Sequence, residues 1–375
     1  MGKGSGNTVT KERLVQSALD LFSSRWYETV SIAEICRNAS LSNGVFYNYF
    51  EKKEEIFKEL LDRYLAIFSD RLTQVVEPSI AEELDRFLEV IFEAGREHRK
   101  LFTVYREGQY RFIRYEKKMR DICIDYFSRM YGRDIDEAEY IFLISAARFV
   151  SMRVSDGRPD RDRRVLHELL LEGFFTEDIT DPRRVFTTDH TPLDPPEDTS
   201  RTRLIEAGIK LFGRRGYYNV NVYEVAKEAG FSVGTFYLYF GTKEAFLAEI
   251  VRTIGARTRH FISLNLDTTL NRTEQEIQGM YLFYLHFRDH RSYYSIVLEA
   301  EFVVNEEATA YYDKFEQGYC RTLHHIRTDD KKLVGNALMG ISHYFGIESI
   351  FSRNIADIED TILRIGRLLH TGLAS

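Results

Sequence analysis

The sequence predicts an all-α chain of two tandem domains, each a three-helix helix-turn-helix head followed by a helical body of about six helices. Three observations carry this. Residues 21–60, LFSSRWYETVSIAEICRNASLSNGVFYNYFEKKEEIFKEL, align without a gap with residues 211–250, LFGRRGYYNVNVYEVAKEAGFSVGTFYLYFGTKEAFLAEI, at an offset of 190. They are identical at 16 of 40 positions, where ordinary residue usage gives about 2 or 3. Apolar residues recur at helical spacing through both copies. Only 23 Gly and 6 Pro in 375 residues argue against a turn-rich β fold.

The repeat continues downstream. Arg96-Glu97-His98-Arg99 answers Arg288-Asp289-His290-Arg291 at an offset of 192, and Glu107 and Glu299 keep that offset. Tyr115-Glu116-Lys117 with Cys123 answers Tyr312-Asp313-Lys314 with Cys320 at 197. Offsets that grow stepwise mean small insertions in the second copy. The expected domains are 1–185 (head 8–55, body 56–185) and 200–375 (head 200–245, body 246–375). Between them, residues 186–199 hold three of the six prolines and read as an extended linker with a reach of about 40 Å.

Composition narrows the function. The chain is 44% hydrophobic and 29% charged, with a net charge of −7, so any nucleic-acid site must be a local patch. Residues 201–250 carry seven Lys/Arg against five Asp/Glu, residues 1–60 eight of each, and the remainder −9. Three Cys fit a reducing compartment. With no 18-residue apolar run and no apolar signal core, a cytoplasmic protein without membrane contact is expected. No Gly-rich phosphate loop, nucleophile elbow or metal spacing occurs, so no enzyme, cofactor or metal is expected.

In the first helix Leu14, Ala18, Leu21 and Phe22 form one apolar stripe, answered by Leu204, Gly208, Leu211 and Phe212. A short second helix starts at Ser31, with Glu34 three residues on, a capping box; Asn221 and Glu224 make a close variant. Cys36 and Ala226 are small residues that let two helices cross. After a tight turn, Ser42 and Ser232 cap a third helix. There Phe46, Tyr49 and Phe50 face the core, while Gly44, Tyr47 and Asn48 face out with Asn43 and Val45 on the flanks. In the second copy Phe236, Tyr239 and Phe240 face in, and Gly234, Tyr237 and Leu238 face out. The glycine beside the serine lets backbone N–H groups approach a phosphate. Lys53 and Lys243 stand at the start of the next helix, against its dipole, which points to a phosphate contact.

The pattern S-x-G-x-F-Y-x-Y-F-x-x-K-E, at Ser42–Glu54 and again at Ser232–Glu244, resembles the tetracycline-repressor (TetR) family of bacterial transcription regulators. The resemblance implies that the third helix enters the major groove. Asn43, Gly44, Val45, Tyr47, Asn48 and Tyr49, and in the second copy Val233, Gly234, Thr235, Tyr237, Leu238 and Tyr239, then meet bases or phosphates. Ser31 and Lys53, with Asn221 and Lys243, hold the backbone. Ala33 and Tyr223 occupy a position that is often basic in the family. Trp26 and Ser40 stand where the second copy has Gly216 and Gly230, positions where the family usually holds glycine; positive φ at a non-glycine residue costs about 1 kcal/mol.

Body helices are expected near 52–76, 79–97, 98–106, 109–131, 135–155 and 162–178, and near 242–263, 272–290, 291–300, 305–326, 330–352 and 355–371. Their aromatic residues suit a helical core or an effector cavity. The cavity candidates are Phe102, Tyr105, Tyr110 and Tyr115, and Tyr284, Tyr294, Phe302 and Tyr312. By resemblance, the last two helices of each copy form a four-helix dimer bundle, either between the copies of one chain (a pseudo-dimer) or in a homodimer. The expected function is sequence-specific binding of double-stranded DNA by a regulator, a repressor released by a small apolar or aromatic effector. The effector would favour a body whose heads no longer match half-sites about 34–36 Å apart. The alternative is a ligand- or protein-binding module in which one or both heads no longer bind DNA; exposed Leu238 and the neutral first head favour it.

Overall fold

The computed structural model describes residues 3–73, 79–153, 158–186 and 189–373, except the side chains of residues 3–6 and Tyr110. The described residues form nineteen α-helices and no strand. In the first head, α1 (Lys3–Phe22) packs on α2 (Ile32–Asn38), and α2 on α3 (Asn43–Phe46). The buried Ser17 hydroxyl ties α1 to α2 by donating to Ile35 O at 2.7 Å. Ser31 makes the full capping box with Glu34. The second head repeats this with α11 (Ser200–Arg215), α12 (Val222–Glu228) and α13 (Val233–Phe240), and Asn221 and Glu224 also form a full box. Cys36 and Ala226 are buried at the crossing.

The first body continues as α4 (Lys53–Thr73), α5 (Ile80–Glu97), α6 (Arg99–Arg111), α7 (Ile113–Tyr131), α8 (Glu137–Arg153) and α9 (Pro159–Glu172). A short α10 (Pro182–Val185) follows. The second body is α14 (Lys243–Asn265), α15 (Arg272–Asp289), α16 (Arg291–Val303), α17 (Asn305–Thr322), α18 (Lys331–Gly346), a π-helical turn over Ile347–Ser352, and α19 (Ile358–Thr371). The ends of two predicted helices, at 74–76 and 154–155, lie outside the described residues. Three boundaries differ for physical reasons. The break expected at 107–108 falls instead at Phe112, because Gly108 continues α6 where a Cβ would meet Leu61 at 2.4 Å. The helix expected to run to 178 ends at Gly173, whose φ is +92°. The helix expected to run to 352 turns from α to π at Ile347.

Packing does not follow the repeat. One compact unit is Met1–Asp134 and the other Ile135–Ser375, so α8 and α9 of the first copy belong with the second copy. The reason is hydrophobic. Every residue of α8 from Ala138 to Val150 is buried, as is all of α18 from Leu333 to Ser342. A helix apolar on every side must be covered on every side. At the crossing, a Cβ on Gly340 would meet Phe149 Cβ at 2.4 Å and Ser145 O at 2.5 Å. Around this core Arg153 pairs with Asp313 at 2.6 Å and Arg161 with Asp330 at 2.9 Å.

The ends of α9 and α19 meet reciprocally. Phe174 N donates to Leu369 O at 2.6 Å, and Leu373 N donates to Leu170 O at 3.0 Å. A Cβ on Gly173 would lie 2.2 Å from His370 O, and one on Gly372 2.2 Å from Leu171 O. Residue i of one copy does to j what j's counterpart does to i, the signature of a two-fold contact. Residues 189–199 carry no regular structure, but they are not a free tether. Thr191 exchanges hydrogen bonds with the Asn265 side chain, 2.6 and 3.1 Å. Residues 187–188 of the predicted linker lie outside the described residues.

Gly173→Ala and Gly372→Ala should each destabilise the second unit, by about 1–3 kcal/mol from overlap with a carbonyl and unfavourable φ. Urea unfolding checks this, and near-equal losses at the two sites are expected from the reciprocal geometry.

Candidate nucleic-acid interface and body cavity

The turn between α2 and α3 places the third helix. Leu41 N reaches back to Cys36 O at 2.8 Å, and Phe231 N to Ala226 O at 2.8 Å. The turn needs a positive φ, taken by Ser40 at 53° and Gly230 at 79°. Trp26, by contrast, has φ −58° where Gly216 has +77°. The backbone at Trp26 takes another route, so the strain expected there is absent.

The third helices differ. α13 runs eight residues, and Ser232 accepts the Thr235 N–H. α3 runs four, and Ser42 makes no such cap, contrary to expectation. Phe46, Phe50, Phe236 and Phe240 are buried, as the spacing predicts. Asn43, Gly44, Tyr47 and Asn48 are exposed, with Val45 half-buried; Gly234, Tyr237 and Leu238 are exposed, with Val233 and Thr235 half-buried. Leu238 is 81% exposed. Tyr239, expected inward, is exposed; Tyr49 is half-buried and donates to Asn7 Oδ1. The cause is phase: four residues after Phe236 only Phe240 returns to the core face. On the second helix Tyr223 is exposed.

Lys53 and Lys243 do not point outward. Lys53 Nζ donates to Tyr27 O at 2.7 Å and Val30 O at 2.8 Å, and lies 4.1 Å from the Tyr27 ring centroid. Lys243 Nζ donates to Tyr217 O at 2.6 Å, 3.9 Å from that ring's centroid. Burial holds both ammonium groups below the ordinary lysine range. Besides the phosphate contact expected from their place on the helix dipole, both ammonium groups thus have an internal role, closing the one-turn 3₁₀ helices at 27–29 and 217–219.

The N–H side of the same residues is held from the body. Tyr27 N donates to Glu107 at 3.1 and 3.3 Å, and Tyr217 N to Glu299 at 2.8 Å. Each head thus hangs on one residue whose N–H is fixed by a body carboxylate and whose C=O is fixed by a lysine. The shared offset of Glu107 and Glu299 was the sequence signal for this clamp. Burial raises the Glu107 carboxyl to about 7, against the lowering effect of Arg111.

The second body encloses a cavity of about 600 Å³ between α14, α15, α16, α17 and α18, with Phe149 of α8 in its wall. Tyr294 and Tyr312 line it; Tyr284 and Phe302 are not among its walls. In the first body Tyr105 and Tyr115 are fully buried in packed interior, and Tyr105 stacks on Tyr64 at 4.6 Å. Their hydroxyls are satisfied within the protein: Tyr105 OH donates to Tyr115 O at 3.3 Å and Tyr115 OH to Asp62 at 3.0 Å. Phe102 packs on Tyr64 at 6.0 Å. Tyr105 and Tyr115 are core residues, packed too closely to leave a cavity beside them, and Phe102 is half-buried. The side chain of Tyr110 lies outside the described residues. Periodicity gave no sign of Arg259, Gly279 or Gly318 as cavity residues.

Comparison with known proteins agrees with the head geometry. The family model described as bacterial regulatory proteins, tetR family, matches residues 14–60 and 204–250. The uncharacterized HTH-type transcriptional regulator YdgC of Bacillus subtilis is 42% identical over 73 residues, covering 19% of this chain and 37% of that protein. YerO of the same organism is 26% identical over 171 residues, covering 41% and 53%. The HTH-type transcriptional repressor NemR of Escherichia coli is 29% identical over 79 residues, covering 21% and 40%. The chain thus spans about a third to a half of the length of the curated relatives it matches. Among solved structures, the fatty acid degradation regulator FadR of Bacillus halodurans is 18% identical, with TM-score 0.40, over 48% of this chain and 98% of that one.

Because the folded Glu107 carboxyl holds its proton more tightly than the unfolded one, the native state carries the extra proton between about pH 4.5 and 7. Stability of the first unit therefore falls as pH rises through that window, by up to about 3 kcal/mol. Glu107→Gln keeps an acceptor for the Tyr27 N–H and should flatten this slope, leaving the variant the more stable protein at pH 8. Urea unfolding at pH 5 and pH 8 checks it.

Proposed function

We propose, from the match of residues 14–60 and 204–250 to the model of tetR-family bacterial regulatory proteins, that the chain is a DNA-reading repressor released by a small apolar or aromatic effector bound in its second body. The observation that carries the reading is the glycine in each third helix. Gly44 and Gly234 have no positive φ. A Cβ on Gly44 would meet nothing within 4 Å, and one on Gly234 only Ser232 Oγ at 3.5 Å. Nothing in the fold asks for glycine, which costs a helix about 1 kcal/mol against alanine. The requirement comes from outside the chain, where a DNA backbone must approach the helix N-terminus. Around it stand the exposed Tyr47, Asn48, Tyr237 and Leu238, the last suited to a thymine methyl.

Both heads acting within one chain is the second part of the proposal. The faces of α8 and α18 are already covered within the chain, which favours a pseudo-dimer over a homodimer formed through them. The exposed residues of the two third helices differ, so the operator is asymmetric. Release runs through α16. Tyr294, Val297 and Leu298 face the cavity, and the next residue, Glu299, holds Tyr217 of the second head. A ligand that moves α16 moves the anchor of that head.

Selection of sites from a random duplex pool at fixed salt should enrich an asymmetric motif bound by one chain. A palindrome would sink the pseudo-dimer, and no enrichment would sink DNA reading. Gly44→Ala and Gly234→Ala should hold or raise stability by up to about 1 kcal/mol. Each should weaken DNA binding roughly tenfold or more, the size of one lost charge-assisted hydrogen bond.

A further inference from the structure

The cavity of the second body contains a cation without an anion. Arg259 of α14 lines it, and its Nη1, buried on the Gly255 side, has no hydrogen-bond partner. Its neighbours are the Phe315 ring, whose centroid lies 5.3 Å from Cζ, and the bare backbone of Gly255, where a Cβ would come within 2.9 Å of Nη1. Among the described residues no carboxylate pairs with it. The other charges of the wall are engaged or exposed. Arg272 bonds Glu276 at 2.5 Å, and Glu276 also accepts the Tyr319 hydroxyl at 2.7 Å. Lys314 and Arg321 are exposed. Four Lys or Arg side chains, His343 and one carboxylate line the space.

We infer that the cavity is built for an amphipathic carboxylate, an apolar or aromatic tail ending in one anionic group, and that Arg259 binds that group. A guanidinium in an apolar cavity is unfavourable until an anion joins it. Its planar fork matches a carboxylate in two parallel hydrogen bonds. Burial already holds Arg259 below the ordinary arginine range, the mark of a charge that lacks a counter-ion. The tail has its own space. Cβ atoms built on Gly279 and Gly318 meet nothing within 4 Å, and Phe283, Phe287 and Leu298 supply apolar wall. About 600 Å³ lies in the range that holds a drug-sized molecule. The inference rests on the reading of this cavity as the effector site and adds the chemical class of the effector.

Calorimetric titration of the full chain tests it with two matched pairs: decanoate against 1-decanol, and 4-phenylbutyrate against 4-phenyl-1-butanol. At least one carboxylate should bind about tenfold or more tightly than its alcohol. Arg259→Met should abolish that preference, and Arg259→Lys should keep part of it. Gly279→Leu should weaken carboxylate and alcohol together by filling the space. Thermal unfolding of each variant reports folding, and the lysine variant answers the question should the methionine variant fail to fold. Equal affinity for acid and alcohol, a preference that survives Arg259→Met, or no binding of either acid overturns the inference. DNA binding is titrated separately without ligand. A chain that prefers carboxylates but ignores DNA sinks the proposed function alone, and one that binds DNA but is indifferent to the charge of its ligand sinks this inference alone.

Discussion

The second unit depends on the mutual burial of α8 and α18. Each is apolar around nearly its whole circumference, so neither can stand at a surface. In a dimer of separate chains such a face is satisfied by a second copy at a rate set by concentration. Here the second copy is covalently attached, so the partner is present from the moment the chain is made. The reciprocal capping of α9 and α19, with Gly173 admitting the His370 carbonyl and Gly372 that of Leu171, gives this contact its two-fold form. The pairs Arg153–Asp313 and Arg161–Asp330 lie outside the apolar centre and fix register more than they add stability.

The heads depend on a smaller constraint, the peptide groups flanking one tyrosine. Tyr27 and Tyr217 each have the N–H held by a body glutamate and the C=O held by a lysine of the next helix. A buried backbone group without a partner costs as much as a lost hydrogen bond, so the head cannot shift without replacing both. The copies differ in what surrounds the clamp. In the first, Arg111 lies 3.5 Å from Glu107 and 4.5 Å from the Tyr27 ring centroid, and it also reaches Glu28 at 2.6 Å. Position 303 of the aligned second copy is Val, so its clamp lacks that cation.

What could be read from the sequence was local and repeated. The capping boxes, the tight turns after α2 and α12, and the buried Phe46, Phe50, Phe236 and Phe240 follow from spacings of three and four residues within single helices. The internal bonds of Lys53 were not legible, because its place on the helix dipole is a one-dimensional fact, whereas its partner carbonyls lie 23 and 26 residues earlier. Gly108 looked like a break because a sequence does not show Leu61 lying against it. The cavity was half legible. Tyr294 and Tyr312 could be named as aromatics of the right helices, but Tyr105 and Tyr115 looked the same in sequence. Whether rings meet each other or enclose a space depends on interhelical distance, which periodicity does not encode.

That difference between the bodies sets the open space of the second beside the contact of α8 with α18. Tyr64, Tyr105 and Tyr115 pack the interior of the first body. The second keeps an open space whose wall includes Phe149 of α8 as well as Met339, Ser342 and His343 of α18. Phe149 is also the side chain against which Gly340 is pressed. A molecule in the cavity therefore touches the crossing of α8 with α18 as directly as it touches α16 and its clamp on Tyr217. Packed crossings of this kind are held by close contact and move in discrete steps rather than by smooth deformation. A molecule in that space would therefore meet a helix of the first copy as well as those of the second.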